Sequence, residues 1–191
     1  MIAIIDTGIA NLASVRAAFT RLDRETKLAS APADLNDVER VVLPGVGAFG
    51  PGMARLQEQA LAQTLTSWIA DGRPLLAVCL GLQLLCRESE ESPGIGGLGI
   101  IDAAVERFTG AVLVPQLGWN QVSGDWLEPG YAYFANSYRL RREPAGWRAA
   151  YSDHGGRYVA ALSRDRQLAC QFHPELSGDW GAALIARWLS C

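Results

Sequence analysis

Between Ile2 and Val78, short apolar runs alternate with amphipathic stretches, and that order leaves few folds open. Ile2-Ala3-Ile4-Ile5 is followed by Leu12, Val15, Phe19 and Leu22 at spacings of three, four and three, which reads strand then helix. A second short strand fits Lys27 to Ala29, and Arg40 to Leu43 is an apolar, β-branched run stopped by Pro44-Gly45. One helix is expected next, with Met53, Leu56, Ala60, Leu61, Leu65, Trp68 and Ile69 on one face, closing at Gly72 before Pro74. Leu75-Leu76-Ala77-Val78 does not alternate, as expected of a strand covered on both faces of a parallel sheet. The expectation is an α/β chain with a doubly wound, mostly parallel sheet flanked by helices, binding ligands at the carboxyl ends of its strands.

The second half changes character. Gly- and Trp-rich segments with short alternating runs from Ala111 through Phe172 suggest antiparallel strands and hairpins, and Trp180, Leu184, Ile185, Trp188 and Leu189 make one apolar face of a closing helix, Asp179 to Ser190. With 191 residues, 49% of them hydrophobic, the chain fits a single domain over 1–191. A net charge of −3 with only 19% charged residues offers no basic stripe for a phosphate backbone, so nucleic acid is not an expected partner. No run is long enough to span a bilayer, and Met1 to Asp6 carries no charged n-region or cleavage site; a soluble, cytoplasmic protein is expected. The four cysteines show neither zinc spacing nor the density of a disulfide scaffold, so no metal or cofactor is expected and reduced thiols remain.

Cys79 stands where the buried strand ends, and Leu80-Gly81-Leu82-Gln83-Leu84-Leu85 at once opens a helix. The turn between them must be sharp, which is the geometry of a nucleophile elbow. Gly81 lets neighbouring backbone approach, and a helix N-terminus beside sulfur favours the reactive thiolate. A buried, inert thiol is the alternative. Cys86, two helical turns on, and Cys170, alternating within the last strand, read as packing.

A cysteine nucleophile needs a base, and the chain has only two histidines. His154 lies in Ser152-Asp153-His154-Gly155-Gly156, a turn where a solvated histidine is the expected reading. His173 follows the strand Leu168 to Phe172 and projects from a carboxyl end beside Cys79. Pro174 biases His173 toward an extended conformation, putting His173 and Glu175 on one side of the chain, so that Glu175 can orient the imidazole. Together they make a triad by role; alone, the tripeptide would read as a turn histidine beside a surface glutamate. Pro44-Gly45-Val46-Gly47 ends another core strand, and its N–H groups, with that of Leu80, are candidate oxyanion donors; an ordinary strand-ending turn is the alternative. Gly94-Ile95-Gly96-Gly97-Leu98-Gly99 matches G-x-G-x-x-G, but it follows what reads as an acidic helix end, Glu88 to Glu91, and precedes an apolar run, the wrong context for a dinucleotide site.

These residues resemble the class I (triad) glutamine amidotransferases. Val78-Cys79-Leu80-Gly81-Leu82-Gln83 is similar to the nucleophile motif and Phe172-His173-Pro174-Glu175 to the histidine-glutamate motif. Leu43-Pro44-Gly45-Val46-Gly47-Ala48-Phe49, Gly118-Trp119-Asn120, Ser137-Tyr138 and the opening Ile5-Asp6 with Asn11-Leu12 resemble, within that class, the glutaminase subunits of imidazole glycerol phosphate synthase. The resemblance implies hydrolysis of glutamine to glutamate through a cysteine thioester, with Gln83 and the backbone of Ser137 and Tyr138 holding the substrate. It implies a heterodimer with a (β/α)₈ barrel cyclase subunit of histidine biosynthesis, to which ammonia is channelled. It also implies near silence until the partner binds its ligand and the Pro44 to Gly47 segment flips. Gln116, Leu117, Asn136, Leu176, Thr7 and Ala10 depart from the family's usual residues, mostly where it meets its partner. Two alternatives stay open: a paralogous glutaminase serving another synthase, and a non-catalytic binding subunit.

Overall fold

The computed structural model describes residues 1–8 and 11–191; Ala10 lies outside them. Strand β1 (Ile2–Ile5), helix α1 (Leu12–Arg21), β2 (Thr26–Ala29) and β3 (Arg40–Leu43) follow the expected order, and α1 is capped by the Asn11 side chain accepting from the Ser14 N–H at 3.3 Å. The single long helix expected next is two, α2 (Phe49–Glu58) and α3 (Leu61–Ala70), because Ala60 sits in the left-handed region at φ 55°. The break resets the apolar face, so Met53 and Leu56 of α2 and Leu61, Leu65 and Trp68 of α3 all reach one core cluster. Next come β4 (Leu75–Val78) and α4 (Leu80–Leu85).

Strands β1, β2, β3 and β4 pair in parallel, and β12 (Gln167–Cys170) joins beside β4 in the same sense. Alternate residues serve opposite faces. Ala3, Ile5, Leu43 and Ala77 pack beneath α2 and α3, while Ile2, Ile4, Val42 and Val78 pack beneath α1 and the closing helix α5 (Gly178–Leu189). Helices on both faces of a parallel core make the sheet doubly wound.

Beyond β12 the sheet turns antiparallel. β11 (Arg157–Arg164), β10 (Arg148–Asp153), β7 (Gln116–Gly124) and β8 (Leu127–Asn136) extend it to nine strands, ordered β2-β1-β3-β4-β12-β11-β10-β7-β8. A separate three-stranded sheet is formed by β5 (Cys86–Ser89), β6 (Ile101–Arg107) and β9 (Tyr138–Arg139).

The acidic helix end expected at Glu88 to Glu91 is absent, since α4 stops at Leu85 and β5 begins at once. The glycine-rich segment explains this. Leu98 donates to the Leu84 carbonyl at 2.9 Å, Gly99 to Cys86 at 3.2 Å and Gly97 to Arg87 at 2.9 Å, taking acceptors that a longer helix would have used. The formal G-x-G-x-x-G match therefore ends a helix instead of opening one, and strand β6 follows it.

Candidate active site

The turn after β4 places Cys79 at φ 53° and ψ −108°, a region that side-chain-bearing residues rarely occupy. Its N–H is tied to the Cys170 carbonyl of β12 at 2.7 Å, and a Cβ on Gly81 would be driven into the Leu43 carbonyl oxygen. The elbow is thus pinned between two parallel neighbours and holds Cys79 at the carboxyl edge of the sheet, the residue 6% exposed. Because α4 has only six residues, its dipole is weaker than that of the longer helix expected, and more of the electrostatics falls to side chains. Cys86 and Cys170 do not compete as nucleophiles, since burial pushes both thiols up.

His173 is extended at φ −98° and ψ 93°, followed by a short 3₁₀ turn, Pro174–Leu176. Its N–H donates to the Tyr133 carbonyl at 2.9 Å. Ser177 completes the clamp, its hydroxyl donating to the His173 carbonyl at 2.6 Å and accepting from the Tyr133 N–H at 3.0 Å. The imidazole Nδ1 meets Glu175 Oε1 at 2.8 Å, both side chains nearly buried, which leaves Nε2 to serve the pocket that His173 and Cys79 line together. Burial disfavours the imidazolium, but hydrogen bonds to Cys79 and Glu175 and the negative charge at both outweigh it, raising His173 from 6.5 to about 10. Because this folded value lies above the ordinary one, the stabilisation is complete below about pH 6.5 and is lost as pH rises through about 10. Thermal midpoints of the wild type and His173→Gln should therefore converge over that window, and parallel curves would contradict the assignment. His154, by contrast, is a loop residue bonded to the Leu113 carbonyl at 2.8 Å.

Val46, Gly47, Cys79, Leu80, Gln83, Ser137, Tyr138 and His173 all line one pocket of about 200 Å³, so the predicted site residues converge, with Glu175 behind His173. A cleft of about 440 Å³ bounded by Trp126, Arg148, Arg164 and Arg187 is larger, but no histidine lines it. The N–H groups expected to act as oxyanion donors do not converge on the pocket as a set. The Leu80 N–H, expected to face an oxyanion, donates instead to the Gly45 carbonyl at 3.3 Å, while Gly47 holds φ 97° and Val46 is exposed.

Two pocket-wall residues, Glu91 and Ala135, escaped the sequence reading, and a third, Asn136, stood out there only as a departure from the family's usual residues. Glu91 read as part of a solvated helix end; with α4 cut short it folds back, and its Oε2 accepts the Phe49 N–H at 2.7 Å at the start of α2. Its alternation within an acidic run gave no sign of this.

A family model described as glutamine amidotransferase class-I matches residues 3–189. This chain is a class-I glutamine amidotransferase. Among curated relatives of this amidotransferase, the imidazole glycerol phosphate synthase subunit HisH of Methanothermobacter thermautotrophicus is 42% identical over 197 residues, covering 99% of this chain and 98% of that protein. The protein of the same name from Symbiobacterium thermophilum is 38% identical, covering 98% and 92%. The imidazole glycerol phosphate synthase hisHF of Arabidopsis thaliana is 36% identical, covering 99% of this chain and 34% of its own length. A solved glutamine amidotransferase superposes with a TM-score of 0.82 at 21% identity, covering 99% of this chain and 97% of that one, which speaks for the shared fold.

Proposed function

We propose that residues 1–191 form one amidotransferase domain, the glutaminase subunit of imidazole glycerol phosphate synthase, with Cys79 as nucleophile, His173 as acid and base, and Glu175 as orienter. The observation that carries it is the convergence of Cys79 and the bonded His173–Glu175 pair on one small pocket. The thiolate attacks the glutamine side-chain carbonyl; the tetrahedral intermediate collapses as His173 protonates the departing nitrogen, releasing ammonia and leaving a glutamyl thioester. Water, deprotonated by His173, then cleaves the thioester to glutamate and returns the thiolate. Glu91 is the carboxylate in the pocket wall and suits the α-ammonium group of the substrate.

The same reading supplies a partner of (β/α)₈ barrel form that receives the ammonia. Two observations support a docking face. Leu117, Trp119, Tyr131 and Leu176 are large apolar side chains left in solvent, and Trp119 lies directly across the ladder from Tyr133, whose backbone holds His173. The Arabidopsis relative carries about two thirds of its length beyond this chain's match, as a fused partner would. No described helix is long and apolar enough to cross a membrane, and a cytoplasmic location goes with the reading, since the four cysteines are free thiols.

Glutamate release by the purified chain, alone and with the barrel cyclase subunit plus its nucleotide ligand, tests this. Activation of at least about 100-fold by the loaded partner is expected, a coupling of about 2.7 kcal/mol. Labelling of Cys79 by a glutamine-like electrophile without activation would keep the glutaminase and remove the partner, and the lack of both would remove the catalytic reading.

A further inference from the structure

Cys79 has a neighbour that the triad does not use. Gln171, wholly buried, follows β12, and its N–H donates to the Ala160 carbonyl at 2.8 Å. The oxygen and nitrogen of a side-chain amide are told apart by what they must bond. The Tyr138 carbonyl can only accept, so the Gln83 atom 3.3 Å from it is the NH₂ group. That NH₂ also lies 3.1 Å from Gln171, which must therefore turn its oxygen toward Gln83. The Gln171 NH₂ is left facing the Cys79 sulfur at 3.9 Å, and no other acceptor holds it among the described residues.

We propose that Gln171 is a positioning residue for the nucleophile: its side-chain N–H donates to the Cys79 sulfur, and Gln83 fixes the direction of that donor. The inference rests on the reading of Cys79 as the nucleophile. A donor held in place beforehand favours negative charge on sulfur more than water would, because nothing must reorganise when the charge appears. The charge appears twice in the cycle. It is present on the thiolate before attack, and it returns when the carbon–sulfur bond of the thioester breaks and sulfur takes back the bonding pair. Gln171 therefore acts on both acylation and deacylation, and its loss falls on kcat more than on KM. The arrangement also links the pocket wall to the sulfur, since the Gln83 that orients Gln171 lines the same pocket as Ser137 and Tyr138.

Gln171→Met keeps the length of the side chain and removes the donor; Gln171→Glu keeps the acceptor for Gln83 and replaces the donor by a carboxylate. In the activated complex, kcat for glutamine should fall about 10-fold in Gln171→Met with KM changed less than about twofold, the expected loss of one bond to a charged group. Alkylation of Cys79 by iodoacetamide in the full chain, followed against pH, supplies the reading that a packing role would not move. Its midpoint should rise by about one pH unit in Gln171→Met and further in Gln171→Glu. If wild-type Cys79 is alkylated no faster than the exposed Cys191, the nucleophile reading itself fails. If Cys79 is fast but both variants keep the wild-type midpoint, the nucleophile stands and the role of Gln171 is overturned. Should neither variant fold, the nitrogen-15 resonance of the Gln171 side chain in the wild type decides: it follows the Cys79 titration if the bond exists, and a flat resonance overturns it.

Discussion

Cys79→Ser is expected to lower glutamate release by at least about 10³-fold while leaving synthesis from added ammonia by the partnered complex unchanged. The two side chains differ by one atom, so the strained elbow at φ 53° survives. What is lost is an ionisable sulfur: serine stays a neutral hydroxyl beside His173, and no thiolate–imidazolium pair can form. Both activities measured on one preparation separate chemistry from folding. Glutamine turnover within about tenfold of wild type would sink the nucleophile assignment.

Gly81→Ala should damage the fold itself. The added Cβ meets the carbonyl oxygen of Leu43, and that carbonyl belongs to a fully buried strand residue paired with Ala77 of β4. Neither side has a flexible side chain to swing away, so overpacking should cost about 3 kcal/mol, seen as a fall in thermal midpoint of roughly 10 °C. Gly96→Ala is the control. Its Cβ would come no nearer than 3.9 Å to any neighbour, so a change within about 0.5 kcal/mol is expected. Equal midpoints for the two variants would mean that the elbow is looser than its contacts imply.

The parallel half of the fold was legible because its signals are local. The run Leu75 to Val78 and the turn at Cys79 are contiguous in sequence, and strands buried on both faces must be apolar throughout. The His173–Glu175 pair was legible for the same reason, two residues apart with a proline between them. The helix break at Ala60 was not, since alanine favours helix and nothing in its residue type calls for a left-handed backbone. The early end of α4 escaped because its causes, Gly97 to Gly99, lie more than ten residues downstream. Glu91 and Gln171 are polar residues given meaning by partners up to 92 positions distant, and a single sequence carries no mark of such pairing.

The Leu80 N–H to Gly45 bond has a further consequence, in the statistics of the resting molecule. Its donor belongs to α4, buried along its whole length, so any exchange of partners must come from the other side, where Val46 and Gly47 already meet solvent. One backbone hydrogen bond is worth about 1 kcal/mol net, which alone would leave the opposite orientation of that peptide at roughly 15%; activation of about 100-fold corresponds to about 2.7 kcal/mol, so most of the difference between the two orientations lies in the rest of the segment. On the proposed assignment, the idle rate of the uncoupled enzyme is then a Boltzmann fraction of the coupled rate. Substitutions between residues 44 and 48 can reset that fraction, and with it the glutamine consumed without an acceptor, while every triad atom stays where it is.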